Sequence, residues 1–363
     1  MARKRSTIKE VAAHAGVSIA TVSNVFSGSK PVNSDLRIRV EKAAKLLNYQ
    51  VDRAASQLRS GQARVVGVLV PDLDDVFFTS LVSRLEVMAR KDGYDVIVTS
   101  SRDDVELEKS RLRALLGWRP AGLVAIPCSD TIPELLREES GSIPLVFADR
   151  VVLSGAFADT VTIDNVDAGE LVGDYLRRCG HLDVVIAASD LSIAPIRDRI
   201  KGVRNVFLRD GLEPTVVEIG SNAERGAELF ANWLGANPVP SAIFGLTNVT
   251  TLSVLSALAR HRIDVPEHSA LVGFDDYAWM SARKVPLTAV RQPIDAMAQS
   301  IWERLRSRMA GNAEESQHTV LNVSLQVRDS VRKVSITPPE IQPAYDIRRK
   351  KAADNTSEIK FPE

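Results

Sequence analysis

The apolar positions of this 363-residue chain change their rhythm once, near residue 65. Over residues 7–48 they recur at three- and four-residue intervals, the signature of short amphipathic helices. Val11, Ala15, Val17, Val22 and Val25 form one seam; Leu36, Val40, Ala43 or Ala44, and Leu47 form another. From Val65 short apolar runs alternate with amphipathic segments. Val65–Val70, Val96–Thr99, Leu123–Ile126 and Leu145–Ala148 predict buried strands, with helices over Leu81–Arg90, Glu106–Leu116 and Ile132–Glu138 between them. Strands then follow at Val161–Ile163, Val184–Ala188, Val216–Ile219, Ala242–Phe244 and Ala270–Phe274. Helices at Ala168–Arg178, Ile196–Leu208, Ala223–Leu234 and Leu252–Arg260 separate them. Leu287–Val290, a helix Ile294–Met309 and the stretch Val320–Val327 complete the two lobes and carry the chain back across the hinge. Repeated βα winding predicts parallel sheets with helices on both faces. There are too many units for one open sheet of ordinary size, so two lobes with a cleft between them are expected. The expected fold class is an all-α N-terminal domain followed by a two-lobed α/β body.

The first helices are punctuated by residues with defined roles. Thr7 and Glu10 form a capping box, which starts a helix at Ile8. Gly16 stands where a tight turn needs positive φ. Ser18 can cap the next helix and Asn33 the third, and Asn48 stands where a helix end wants a left-handed residue. This is a helix-turn-helix within residues 1–50. The exposed face of its second helix carries Ile19, Ala20, Thr21, Ser23 and Asn24, short side chains suited to close contact with bases and phosphates. The same pattern would also serve a plain helical hairpin in a larger core. Charge bears on that choice. The chain is neutral overall, yet residues 1–60 carry a net +7 and the remainder −7. A basic head on an acidic body fits a polyanion-binding module attached to something that is not one.

Residues 51–62 predict either a short hinge helix, capped by Asp52 and stopped by Gly61, or a plain linker. The proline-marked, apolar-poor stretch 335–363 predicts a disordered or loosely docked tail without heptads. Cys128 and Cys179 are too few for a disulfide framework or a cysteine-rich metal site, and the expected setting is a reducing, bacterial-type cytoplasm at the nucleoid. No apolar run approaches the ~20 residues of a membrane span, and no secretory signal is expected. Five scattered histidines give no metal cluster and no nucleophile–histidine–acid set, and His181 belongs to a Gly-His pair that ends a helix. Pro71-Asp72-Leu73-Asp74 follows the first strand of the body where a phosphate-binding enzyme would carry a glycine-rich loop. No catalytic residue, metal or cofactor is expected, and the chain is not read as an enzyme.

Ser18-Ile19-Ala20-Thr21-Val22-Ser23, Asp52…Ala55…Leu58, Pro71-Asp72…Phe77-Phe78, Gly180-His181, Gly273-Phe274-Asp275-Asp276 and Pro286-Leu287-Thr288…Val290-Arg291-Gln292-Pro293 together resemble the LacI/GalR family of sugar-responsive transcription regulators. The resemblance spans about Ser6 to Ser330. It implies a body with the fold of periplasmic sugar-binding proteins over 63–334. The first lobe would take 63–163 and 293–322, and the second 164–291 and 323–334. It implies a homodimer on a palindromic double-stranded operator. Ile19, Ala20 and Asn24 would face base edges. Thr21, Ser23 and the backbone near Ser34 would hold phosphates, and Thr7 and Ser18 are counted with the DNA-binding residues. Asn24 replaces a frequent arginine, which would shift preference from guanine toward adenine. Leu58 would wedge into the minor groove, supported by Ala54 and Ala55. Arg197-Asp198-Arg199-Ile200-Lys201-Gly202 matches the family's Arg-x-Arg-x-x-Gly element. Arg199 would hold a sugar-like effector together with Asp275, Asp149, Phe77 or Phe78, and Thr247 or Asn248. A purine, nucleoside or phosphorylated co-repressor is the second reading. Asp75-Val76 and Thr247-Asn248-Val249 depart from the family's Asn-Pro and Asn-Asp.

Overall fold

The computed structural model describes residues 6–27, 30–49 and 64–334. The expected hinge, with Ala54, Ala55 and Leu58, and the tail from 335 lie outside the described residues. The head holds α1 (Ile8–Ala15), α2 (Ile19–Ser27) and α3 (Ser34–Leu46). The capping box forms: the Glu10 N–H donates to Thr7 Oγ1 at 3.3 Å and the Thr7 N–H to Glu10 Oε2 at 2.6 Å. Gly16 turns the chain at φ +63°, and a Cβ there would meet Arg39 Nη2 at 2.6 Å. That nitrogen caps α1 by donating to the Ala15 carbonyl at 2.5 Å. Ser18 Oγ accepts the Thr21 N–H at 3.1 Å, and Asn48 takes φ +47°. Val11, Ala12, Ala15, Val22, Val25, Val40, Ala43 and Ala44 form the small core of the three helices.

The body begins with β1 (Val65–Val70), α4 (Val76–Lys91), β2 (Asp95–Ser100), α5 (Val105–Leu116), β3 (Gly122–Ala125), α6 (Glu134–Glu139), β4 (Leu145–Ala148) and β5 (Asp159–Ile163). It continues through α7 (Asn165–Arg178), β6 (Val184–Ala188), α8 (Ala194–Leu208), β7 (Thr215–Glu218), α9 (Ala223–Ala236), β8 (Ala242–Gly245), α10 (Asn248–Arg260) and β9 (Ala270–Phe274). It ends with α11 (Ala278–Ser281), β10 (Thr288–Arg291), α12 (Ile294–Met309), β11 (His318–Leu321) and β12 (Ser324–Gln326). These strands build two six-stranded sheets, ordered β11-β5-β4-β3-β1-β2 and β12-β10-β9-β8-β6-β7. Every pair is parallel except β10 with β12. The central strands are buried throughout, as sheets covered on both faces require. The chain passes from one sheet to the other after Ile163, after Arg291 and after Leu321.

The helices at Val76, Asn165 and Asn248 start a turn or so earlier than their apolar spacing predicts. Each is extended by a cap that periodicity does not register. Asp75 accepts the Phe77 N–H at 2.8 Å, Asp164 the Asp167 N–H at 2.9 Å and Thr247 the Thr250 N–H at 3.1 Å. At the end of the body the stretch Val320–Val327 carries the chain from one sheet to the other. It is two strands in different sheets, β11 parallel to β5 and β12 antiparallel to β10, with the crossover between them. A run of alternating apolar residues marks extended chain, not which neighbour it pairs with. The Gly180-His181 pair closes α7 as expected: Gly180 takes φ +89° and the His181 N–H returns to the Leu176 carbonyl at 3.0 Å.

Candidate functional site

The Arg-x-Arg-x-x-Gly element is built by a close helix crossing. α7 and α8 pack against each other through Gly169 and Gly202. A Cβ on Gly202 would sit 2.0 Å from the Val166 carbonyl oxygen, and one on Gly169 2.1 Å from that of Arg199. That approach brings Arg199 beneath the cleft. Its Nε donates to Asn165 Oδ1 at 2.9 Å and its Nη1 to the Leu246 carbonyl at 2.6 Å. Its guanidinium lies 3.6 Å from the centroid of the Phe274 ring, a desolvated cation–π contact.

Two aspartates face it from strand ends. Asp149 follows β4 in the first sheet and Asp275 follows β9 in the second, at φ +57° and +80°. Left-handed conformations of non-glycine residues are strained and concentrate at functional sites. Asp275 accepts from Gln292 Nε2 at 2.7 Å and from the Asn248 N–H at 3.1 Å. Its neighbour Asp276 does different work. Its carboxylate is shut away from solvent and pairs with Arg291 and Arg328, tying the ends of β10 and β12 to β9.

Of the effector residues read from the sequence, Arg199, Asp149, Asp275, Phe77, Phe78 and Thr247 line one cavity between the lobes. Asn248 does not. Its side chain accepts from Trp279 Nε1 at 3.0 Å, so it acts through its backbone on Asp275. The Thr247 hydroxyl is shared with the cap of α10. Asp75, Arg150 and Gln292 also line the cavity and were not assigned to it from sequence. Gln292 belongs to the Pro286-to-Pro293 motif, and Asp75 stands where the family has asparagine. The cavity volume is about 40 Å³, a few waters at roughly 10–15 Å³ each.

Electrostatics follow from burial. Burial pushes the carboxyls of Asp149 and Asp275 above the usual carboxylate range, against the pull of Arg150 and Arg199 on the first and of Arg199 on the second. Burial and the nearby Asp275 push Asp75 up to about 6. Burial pulls the Arg199 guanidinium down, while Asp275 and Asp149 hold it up. The Tyr277 phenol is pushed up by burial and then by Asp275, Asp75 and Asp149.

On the head, Ile19 and Ala20 are exposed at the start of α2, while Thr21, Ser23 and Asn24 are half-buried on the same helix. Thr7 and Ser18 spend their hydroxyls on caps, and Ser34 opens α3 behind the Asn33 cap. Among the described residues no His/Cys/Asp/Glu group is placed to hold a metal, and no helix is long and apolar enough to cross a membrane.

A three-helix head with an exposed recognition helix, joined to a two-lobed body with a charged cleft, defines a ligand-sensing DNA-binding regulator. Residues 7–52 match the bacterial regulatory proteins of the lacI family, and residues 174–331 match the periplasmic binding protein-like domain. The transcriptional regulator PtxS of Pseudomonas plecoglossicida is 30% identical over 334 residues, 91% of this chain and 96% of that protein. The Lac repressor dimer bound to operator and the anti-inducer ONPF aligns with TM-score 0.80 at 27% identity, covering 91% of this chain and all of that one. The CelR–cellobiose complex aligns with TM-score 0.66 at 26% identity, covering 90% of this chain and all of that one. The chain belongs to the LacI family of DNA-binding transcriptional regulators, whose members here are regulators and not enzymes.

Proposed function

We propose that the chain is a homodimeric repressor that binds a palindromic operator and is controlled by a small sugar-like effector held between its lobes. The observation that carries this reading is the convergence of Arg199, Asp149 and Asp275 on one interlobe cavity, from elements of both sheets. Adjacent hydroxyls of a sugar need such paired acceptors and a guanidinium donor. Phe77 and Phe78, packed edge to face with centroids 5.2 Å apart, supply the apolar wall for the C–H side of a ring. The relative that binds cellobiose and the one bound to operator as a dimer support the two halves of the reading.

A ligand that bridges both lobes favours one lobe angle over another and shifts the population toward it. In a dimer that angle sets the spacing of the two heads, which is what the operator senses. Couplings of this kind are typically ~1–3 kcal/mol. A gel shift on the gene's own upstream region, with and without sugars, tests the reading. Release or tightening by a sugar supports it. A response confined to purines, nucleosides or phosphorylated compounds replaces the sugar with the second effector class. The absence of any sequence-specific shift would end the reading.

A further inference from the structure

We propose that the effector of this cleft carries a protonated amine and that Asp75 is the residue that selects it. This rests on the cleft being the effector site. Three carboxylates line the cavity, Asp75, Asp149 and Asp275, against two guanidiniums, Arg150 and Arg199. One guanidinium is shared with a carboxylate outside the cavity lining, and the other donates to neutral groups and keeps its charge. Arg150 pairs with Asp103, and Arg199 donates Nε and Nη1 to Asn165 and Leu246. The cavity is therefore short of positive charge.

It also leaves buried polar atoms unpaired. Gln292 is 6% exposed and lines the cavity; its Nε2 is spent on Asp275, and its Oε1 is buried with no hydrogen-bond partner. That oxygen can only accept. The Tyr277 hydroxyl, which can donate or accept, is buried near the same carboxylates, likewise without a partner. A carboxylate or phosphate on the ligand would add acceptors and negative charge to this surface. A neutral polyol would bring donors but no charge. An ammonium group brings three donors and a positive charge together. Asp75 stands at the head of α4 in the first lobe, opposite Asp275 of the second, and its Oδ1 already accepts the Phe77 N–H. It therefore places a fixed carboxylate where an amine substituent can pair with it, and hydroxyls of the same ligand are left for Arg199, Asp149 and Gln292.

Calorimetric titration of the full chain at pH 7 against matched pairs tests this: glucose with glucosamine, galactose with galactosamine, mannose with mannosamine, and gluconate and glucose 6-phosphate as anions. The expected result is at least tenfold tighter binding of one amino sugar than of its parent, with no anion binding. Asp75→Asn, which keeps the cap of α4, should collapse that ratio to near one. Asp74→Asn, at an exposed neighbouring carboxylate, should keep it. A neutral sugar that binds as tightly as its amine overturns this proposal alone and leaves the cleft reading standing. So does tighter binding of an anion, or a ratio that survives Asp75→Asn. If no compound binds the wild-type chain, the cleft reading falls and this proposal with it.

Discussion

Asp130, on the loop after β3 of the first lobe, accepts the Ala194 N–H at 2.8 Å, at the head of α8 in the second lobe. The residue before that helix is Ile193, which offers no side-chain cap. An aspartate from the opposite lobe supplies the missing acceptor, and it also pairs with Arg197 one turn further on. The cap and the ion pair exist only while the lobes are together. Asp130→Ala removes both.

The expected effect of Asp130→Ala is on the lobe equilibrium. A helix cap is worth about 0.5–2 kcal/mol, and the half-exposed ion pair adds less than ~1 kcal/mol. Small-angle scattering should show a more open body, and an effector that favours closed lobes should bind up to about tenfold more weakly. An unchanged scattering curve would show that the latch does not hold the cleft.

Gly202→Ala should be among the most damaging single changes in the body. Its Cβ would meet the Val166 carbonyl at 2.0 Å, a backbone atom that cannot rotate away. Overpacking of this kind costs about 1–3 kcal/mol or more, and the two helices must part. Melting temperature should fall, and Arg199 should lose its bond to Asn165. A melting temperature within a degree of wild type would contradict the crossing described above.

Arg199→Ala should abolish the effector response while operator binding persists, giving a form locked on DNA if the effector is an inducer. The structure adds a stability cost. Asn165 Oδ1 and the Leu246 carbonyl lose their donor, at ~1–3 kcal/mol for buried groups left unpaired. Gel shifts with effector and a thermal melt measure the two effects separately.

Asp75 predicts a pH dependence with a definite sign. Its carboxyl is raised from 3.8 to about 6 in the folded chain. Between those values the folded state holds more protons than the unfolded one, so stability falls as pH rises through the window. The stabilising contribution is complete below 3.8 and gone above about 6. Asp75→Asn keeps a good capping residue and removes the buried charge. At pH 8 it should melt about 2–4 °C above wild type, corresponding to on the order of 1 kcal/mol. The gain should vanish below pH 3.8. A variant less stable than wild type at pH 8 would show that the charge is well paired.

Operator affinity should fall steeply between 50 and 200 mM salt, by roughly 10³-fold or more if about six phosphates are contacted. The +7 charge of residues 1–60 motivates this. Asn24→Ala should relax preference at one symmetric base position at a cost of ~1–3 kcal/mol. A selected consensus identical to wild type would show that Asn24 reads no base.

What the sequence by itself determined is what depends on near neighbours along the chain. Thr7 with Glu10, Gly16, Ser18 with Thr21 and Asn48 do in the structure what their spacing says, because a cap or turn is decided within about four residues. The βα alternation was legible for the same reason: strand and helix periods are local consequences of burial. Tertiary structure alone decided the partners. It set Asp275 toward the cleft while burying the Asp276 carboxylate between two arginines. It turned Asn248 away to Trp279, and it brought Asp75 from the first lobe against Asp275 of the second. Apolar periodicity records that a side chain is buried, not against what. A carboxylate's charge state is set by groups 70 to 200 residues away in sequence, such as Asp149, Arg150 and Asp275 around Asp75, and only the folded chain puts them within reach of one another.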